Sequence, residues 1–493
     1  MTQQNKDMRG LAKDTAIYGL SSIIGKFLNY LLVPLYTYVL ARTADYGIVT
    51  NLYAWTALLL VILTYGMETG FFRFANRDDY DAGQVYRTSF LTLLSTSTLF
   101  AVLCVLFRQP IASALGYDGH SEFIAMMAVT VALDAFASIP FAYLRYQKRP
   151  IRFAILKLLF VILNIAFNIF FLIILGKNDV YYVFLSNILA TIIQTLCLLP
   201  FTLPKDGRFS WSVLRQMLRY SLPLLVLGVA GIMNQTLDRI LFPYLYQGDD
   251  AQAQLGIYGA CFKVAMVMMM FTQAFRYAYE PFVFSKHKDR QSVEAYADAM
   301  KYYIIFSYLI LLGVVFYLDI FRYIVSSAYW EGLKIVPVVL WTYVFQGVYF
   351  NLSFWYKLTD ETKWGAYFSL IGLVITLVLQ IVGVPLIGYW ASCGSSLVCY
   401  FCIMLLSYFI GQKKAPIPYN LKSIGGYTLL TVLLLAMYYA FRFFITPTWA
   451  QMLFGTALLC VYAGVLVHKD FPLSVLPVVG KYFGKRKQIK IKK

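Results

Sequence analysis

The stretch Ser221 to Tyr246, SLPLLVLGVAGIMNQTLDRILFPYLY, is long and apolar enough to cross a bilayer, yet it contains an Asp and an Arg. A helix of about 20 apolar residues spans the hydrocarbon core. The polar residues of the stretch are Asn234, Gln235, Asp238 and Arg239. Their spacing places them on one stripe of a helix. Because a charge at membrane depth costs about 2.5–3.5 kcal/mol even on a lenient scale, the stripe is predicted to line a cavity or to meet a partner.

A second interpretation is that Asp238 and Arg239 neutralise each other as a structural ion pair near the end of the helix. Adjacent residues on a helix point about 100° apart and do not face each other. The spacing therefore favours contacts of each residue with other helices.

The composition is that of a polytopic membrane protein. Of the 493 residues, 60% are hydrophobic and 13% are charged, whereas soluble proteins average about 45–50% apolar and 25% charged. The net charge of +18 is spread over many short segments rather than gathered in one domain, so no nucleic-acid partner is expected. The seven cysteines lie mostly in apolar runs and the three histidines are scattered, so neither a disulfide framework nor a metal site is predicted.

Apolar runs separated by polar breaks predict an all-α polytopic membrane protein with about fourteen transmembrane helices. The predicted spans are 12–40, 47–72, 88–107, 121–144, 153–175, 180–201, 219–246, 255–282, 302–325, 334–356, 364–386, 388–410, 424–445 and 449–467. The break within 364–410 is short, and the count there could differ by one or two.

Lysine and arginine are concentrated on one side of these spans. The polar segments of the other side contain only Arg42, Arg108, Lys177, Arg322, Lys334 and Arg442. By the positive-inside rule, both termini are predicted to be cytoplasmic. The basic tail 469–493 is expected to lie on anionic lipid headgroups.

A faint repeat relates the first and seventh spans. GKFLNYLLVPLYTYVLARTADYG, from Gly25 to Gly47, aligns with NQTLDRILFPYLYQGDDAQAQLGIYG, from Asn234 to Gly259, with three residues inserted. Because six spans separate the copies, the two halves would run the same way through the membrane. The predicted organisation is an N-terminal lobe of six spans (1–210), a C-terminal lobe of six spans (211–412), a further pair of spans (413–468) and the basic tail.

Three cations are predicted at membrane depth, namely Lys26, Arg239 and Lys263. Placing three like charges around one cavity is costly, so such a cluster implies an anionic occupant. Further candidates for lumen lining or ion coupling are Asp134, Asp238, Glu68 and Asn234.

Asp134 falls near the middle of its span without a charge partner in its own helix. Such a carboxylate could exchange a proton or bind Na⁺, or it could make a structural hydrogen bond to a neighbouring helix. Asn164 and Asn168 are more typical of hydrogen bonds between helices than of ligand binding. The aromatic cluster Trp341, Tyr343, Tyr349, Trp355 and Tyr356 could stack on sugar rings.

The opening pattern AIYGLSSIIGKFLNYLLVPLYTYVL, the following DYGIV and YGMETGFFRF, the NQTLDRILFPYLY helix and the fourteen spans resemble a bacterial polysaccharide flippase of the Wzx type. Such flippases belong to the multidrug/oligosaccharidyl-lipid/polysaccharide (MOP) exporter superfamily, with the lipid II flippase MurJ and the MATE antiporters. The resemblance implies two six-helix lobes that alternate between inward- and outward-open states. It also implies transport of an undecaprenyl-pyrophosphate-linked oligosaccharide across the inner membrane, for lipopolysaccharide O-antigen or another surface polysaccharide.

The resemblance further implies a cationic lumen, which Lys26, Arg239 and Lys263 match by type and location. The last two spans are similar to the extra pair in MurJ, which forms a groove for the lipid tail. The implied partners are the lipid-linked oligosaccharide, membrane lipids and polysaccharide assembly proteins, with Na⁺ or H⁺ as the coupling ion and no cofactor.

Two other functions stay open. A MATE-like antiporter of drugs or cations would need acidic lumen residues, of which Asp134 is a candidate. A membrane polymerase or glycosyltransferase would need a substantial extramembrane region and a carboxylate pair or a nucleophile with its base. The sequence shows none of these features, so no enzyme is predicted.

Overall fold

The computed structural model describes residues 19, 21, 23–204, 206–285, 290–359 and 361–470, with the backbone alone for 278, 280–285 and 290–292. Over these ranges the regular structure is helical. We number the long helices α1 (Ile23–Val39), α2 (Thr43–Ala75), α3 (Ala82–Leu106), α4 (Ser121–Tyr146), α5 (Pro150–Ile174), α6 (Val180–Thr202), α7 (Trp211–Leu245), α8 (Ala251–Val264 and Met266–Ser285), α9 (Arg290–Phe316), α10 (Ser327–Leu358), α11 (Lys363–Ile387), α12 (Tyr389–Lys414), α13 (Leu421–Phe444) and α14 (Thr448–Lys469).

This is a multi-pass membrane protein, and the predicted fold class is confirmed. Within the described ranges, twelve helices are long and apolar enough to cross a membrane, or thirteen when the two parts of α8 count as one span bent by 46°. The described part of the first predicted span forms the shorter apolar helix α1. The predicted count of fourteen is therefore approximately right. Much of the basic tail lies outside the described residues.

Two predicted boundaries illustrate how the chain breaks its helices. The short break near residue 388 separates α11 from α12, because Gly388 has a φ of +58°, which glycine adopts without steric cost. The ninth span was predicted to reach residue 325, but α9 ends at Phe316. A short helix, Leu318–Phe321, follows and presents Asp319 to Arg442 at 3.2 Å.

The long helices pack in two sets. In the N-terminal set α3 packs on α4, and α4 and α5 both pack on α6. In the C-terminal set α7 packs on α11, and α11 and α10 both pack on α12. Helix α2 contacts both sets, because it packs on α4 and also on α7 and α8. We call the end with the α2–α3, α4–α5 and α6–α7 connections the basic end, and the other the opposite end.

Helices α2 and α8 cross backbone to backbone at the opposite end. A Cβ atom on Gly47 would lie 1.8 Å from the backbone oxygen of Gln252, and one on Gly256 would lie 2.0 Å from that of Thr43. Glycine is therefore required at both positions, since no side chain fits in that space. The DYG and IYG ends of the sequence repeat lie in this contact.

Helix α2 also contacts α7 toward the basic end. The helix is interrupted at Tyr65 and Gly66, whose φ angles are +31° and +69°, and its last part packs on α7. There a Cβ atom on Gly70 would lie 2.6 Å from Oγ of Ser221. The two contacts lie at the two ends of α2 and leave the middle of the helix beside a cavity.

Candidate functional site

A cavity of about 320 Å³ lies where α1, α2, α5, α6, α7 and α8 meet. It is lined by Asn29, Leu32, Val33, Tyr36, Tyr46, Val49, Thr50, Tyr53, Ala54, Ala57, Asn164, Asn187, Thr236, Arg239 and Lys263. We call it the central cavity. Its lining is rich in polar groups, whereas the cavity between α3, α4 and α6 is lined almost entirely by apolar side chains.

Two of the three predicted cations, Arg239 and Lys263, line the central cavity. Arg239 lies in the last two turns of α7, and its guanidinium carbon is 4.4 Å from the centre of the Phe262 ring. Lys263 lies just before Ala265, where α8 bends. Arg239 is close enough to Lys263 to repel it electrostatically, so both cations lie on the same wall.

Asp238 is buried beside this wall. Its Oδ2 accepts a hydrogen bond of 2.5 Å from the hydroxyl of Tyr258 and lies 3.6 Å from Nε of Arg239. Both interpretations of the Asp238 and Arg239 pair therefore hold in part, because Asp238 contacts Arg239 as well as a neighbouring helix. Asp238 is paired with Arg239 and does not line the cavity, so Lys263 adds a positive charge to this wall.

The backbone of α7 at Arg239 is held by α2. Nδ2 of the fully buried Asn51 donates to the carbonyl oxygen of Arg239 at 2.7 Å. Oδ1 of Asn51 accepts from the Tyr117 hydroxyl, also at 2.7 Å. Sequence reasoning missed this contact, and its only signal was an amide in the apolar run of the second span.

Lys26 lies away from the other two cations. It is on α1, one turn before the cavity-lining Asn29 and nearer the basic end, and it does not line the central cavity. Its Nζ donates to Oε1 of Gln273 at 2.9 Å, and Arg276 of α8 is close enough to repel it electrostatically. The structure thus brings two of the three predicted cations together.

Asp134 has a charged neighbour that sequence reasoning did not assign to it. It interacts electrostatically with Lys157 of α5 and with the Tyr53 hydroxyl of α2. Lys157 lies in α5, within the predicted fifth span, and its Nζ is 3.9 Å from the centre of the Phe141 ring.

Glu68 and Asn234 both contact neighbouring helices. Glu68 of α2 is paired with Arg145 of α4. Nδ2 of Asn234 donates to the backbone oxygen of Ser369 in α11 at 2.9 Å, so this amide faces the C-terminal set of helices. In the part of the chain that the structure describes, no group of three His, Cys, Asp or Glu could hold a metal ion.

The predicted aromatic stacking surface is part of the protein core. Trp355 and Tyr356 are buried, with ring centres 5.3 Å apart, and the Trp355 indole donates to Ser407 at 3.2 Å. None of the five predicted aromatic residues lines the central cavity. The structure therefore places this cluster outside the central cavity, and its stacking on sugar rings stays a prediction.

The α5 asparagines bond to each other, and Asn168 also interacts with the Tyr36 hydroxyl of α1. Nδ2 of Asn168 donates to Oδ1 of Asn164 at 3.1 Å within α5. Asn164 lines the central cavity. Because an i, i+4 pair meets on one face of a helix, the bond orients Asn164 without help from a neighbouring helix.

Comparisons with solved structures show the fold. The lipid II flippase MurJ in an inward closed conformation matches with a TM-score of 0.72 and 14% identity, over 91% of this chain and 99% of that one. An inward-facing multidrug resistance MATE transporter of the MOP superfamily matches with a TM-score of 0.59 and 12% identity, over 84% and 95%. A MOP superfamily transporter from Pyrococcus furiosus, described as having a binding pocket of reverse polarity, matches with a TM-score of 0.54 and 15% identity, over 82% and 95%.

A family model described as "Polysaccharide biosynthesis protein" matches residues 39–334. A search of curated proteins found no match. The family match covers more than half of the chain and includes α2 to α8, where both cavity cations lie. This protein therefore belongs to the polysaccharide biosynthesis protein family, and it has the fold of the MOP superfamily transporters, as the resemblance implied.

Proposed function

We propose that this protein is a flippase that carries an undecaprenyl-pyrophosphate-linked oligosaccharide across the bacterial inner membrane by alternating access. The observation that carries the proposal is the pair of cations, Arg239 and Lys263, on one wall of a cavity in the middle of the helices. A pyrophosphate diester brings about two negative charges and several acceptor oxygens to such a wall. Arg239 can bind two of these oxygens at once.

The lobes of the proposed mechanism are residues 1–210 and 211–412. The central cavity lies at their junction, since its lining comes from both. Alternating access requires that the α2–α8 contact at the opposite end and the α2–α7 contact at the basic end open in turn. Lys26 lies toward the basic end and is suited to meet the pyrophosphate as it enters.

The central cavity favours an anion over the cation of a MATE-like antiporter. Within the described ranges its lining includes two cationic side chains and no carboxylate. A cationic substrate would need carboxylates in the lining instead. Transport by the wild-type protein of a cationic drug, with no effect on surface glycan when the gene is deleted, would establish that second function instead.

The decisive test is a variant in which Lys26, Arg239 and Lys263 are all replaced by Gln, expressed at the normal level in the membrane. We expect it to abolish export of the surface glycan and to leave the lipid-linked precursor at the cytoplasmic face. Each single variant should lower export, and Lys26→Arg should be milder than Lys26→Gln. Undiminished export by the triple variant would contradict the proposal.

Coupling to Na⁺ or H⁺ is part of the proposal, with Asp134 as the candidate group. Asp134→Asn keeps the shape of the side chain and removes its charge. If transport by this variant keeps its normal dependence on pH and on the sodium gradient, the interaction of Asp134 with Lys157 is structural only.

The proposed orientation has both termini in the cytoplasm and the opposite end in the periplasm. Reporter fusions after Arg208 and Lys413 should then read cytoplasmic, and one after Asp250 periplasmic. A periplasmic reading at Arg208 would reverse the direction of transport that we propose.

A further inference from the structure

We propose that three asparagines that line the central cavity, on helices other than those of the cations, bind the sugar next to the pyrophosphate, so that the cavity recognises the glycan as well as the charge. These residues are Asn29 of α1, Asn164 of α5 and Asn187 of α6, and we call them the amide wall. This inference rests on the proposed flippase function, and it assigns separate chemistry to two sets of residues in the same cavity.

The amides and the cations of the central cavity come from different helices. All three amides come from α1, α5 and α6, whereas Arg239 and Lys263 come from α7 and α8. A ligand that fills the cavity can therefore meet the cations of α7 and α8 and the amides of α1, α5 and α6 at the same time. A lipid pyrophosphate attached to a sugar has the same division between a charged and a neutral polar part.

Each amide keeps hydrogen-bonding capacity for a ligand. Asn187 donates through Nδ2 to the Tyr53 hydroxyl at 3.1 Å, and this bond orients the amide without using its Oδ1. Asn164 accepts from Asn168 through Oδ1, and its Nδ2 makes no hydrogen bond with any residue in the described ranges. The side chain of Asn29 likewise makes no hydrogen bond within the part of the chain that the structure describes.

The chemistry of the amide wall matches hydroxyl groups. An amide carries both donors and acceptors, as a sugar hydroxyl does, so each can satisfy the other in either direction. Tyr53 is fixed beside Asn187 by edge contact with Phe184, with ring centres 5.8 Å apart, so the amide is held in place before the ligand arrives. Buried polar groups that are built for a hydroxyl discriminate strongly against a ligand that lacks it.

The test compares binding of two kinds of lipid, bare and glycosylated, to the purified full-length protein in nanodiscs. The first probe is undecaprenyl pyrophosphate, and the second set carries glucose, galactose or N-acetylglucosamine on the same pyrophosphate. We expect wild type to bind at least one glycosylated lipid more tightly than the bare one. Asn29→Ala and Asn187→Ala should each lower this preference about three- to tenfold, as expected for one or two lost hydrogen bonds, because they weaken binding of the glycosylated lipid more than binding of the bare lipid.

Controls separate this inference from the proposed function. Arg239→Gln should weaken both kinds of lipid alike, and Asn76→Ala, which removes an exposed amide at the basic end, should change neither. Binding of neither lipid by wild type would contradict the flippase proposal itself. The amide wall does not bind the sugar if wild type binds none of the three glycosylated lipids more tightly than the bare lipid. The same conclusion follows if Asn29→Ala and Asn187→Ala keep the wild-type preference. Asn29→Ala is the more informative variant, because it breaks no hydrogen bond within the part of the chain that the structure describes.

Discussion

Replacement of Gly256 by alanine tests whether the crossing of α2 and α8 closes the opposite end of the central cavity. The new Cβ atom would lie 2.0 Å from the backbone oxygen of Thr43 and 2.9 Å from the backbone nitrogen of Gly47. Both are backbone atoms, so no side-chain rotation can relieve the clash. The two helices must therefore move apart by more than an ångström.

The expected size follows from overpacking of a close contact, which costs about 1–3 kcal/mol. This cost acts only on conformations in which α2 and α8 touch, so it shifts the population toward conformations that are open at the opposite end. At about 1.4 kcal/mol per tenfold change, the shift is about five- to 150-fold.

The assay is a distance measurement between spin labels at Ala41→Cys and Asp249→Cys, two exposed sites beside the crossing, on a background without the seven native cysteines. Gly256→Ala should move the distance distribution to longer values. Gly394→Ala is the matched control, because a Cβ atom there meets open space. If Gly256→Ala has the same distance distribution as wild type, the crossing of α2 and α8 is not what closes the opposite end of the cavity.

Three further outcomes are expected. Asn51→Ala removes the hydrogen bond to the Arg239 carbonyl and should lower the free energy of unfolding by about 1–3 kcal/mol, measured by thermal or denaturant unfolding in detergent. Asp238→Asn removes the carboxylate next to Arg239 and should strengthen binding of undecaprenyl pyrophosphate severalfold. Weaker binding by this variant would show that Asp238 positions the arginine instead. The hydrogen bond from Lys414 lowers the pKa of Glu361. The stability that this pair contributes is therefore complete above the usual carboxyl pKa of about 4.3 and is lost as the pH falls through the lowered pKa. Glu361→Gln should abolish this decrease of the thermal midpoint at acid pH.

The sequence predicted the helices well because each apolar run is long and flanked by polar breaks. It failed where a helix bends or ends without a change in polarity. The bend at Ala265 lies inside an apolar run, and no glycine, proline or polar break in the sequence marks it. The end of α9 at Phe316 is followed by residues that are apolar enough to continue the helix. Tertiary packing rather than local composition decides both positions.

The site could be predicted only where charge marked it. Arg239 and Lys263 stand out because a cation in an apolar run is costly, and the cavity contains both. Asn29 and Asn187 were missed because neutral amides in spans commonly bond to neighbouring helices. Whether such an amide faces a cavity depends on the rotation of its helix, which one sequence does not reveal. Lys26 was grouped with the other cations because all three lie in apolar runs, but it lies nearer the basic end, beside Gln273, and does not line the cavity.

Arg239 links the proposed binding event to the closure at the opposite end. Its side chain lines the central cavity, while its carbonyl oxygen accepts the hydrogen bond from Asn51 of α2. The helix that carries Asn51 is the one that meets α8 at Gly47. A ligand can shift an equilibrium only as far as it binds the two states unequally. A pyrophosphate that binds Arg239 more tightly in one of the two states would therefore shift the equilibrium of the closure, because the same residue is bonded to α2 through Asn51.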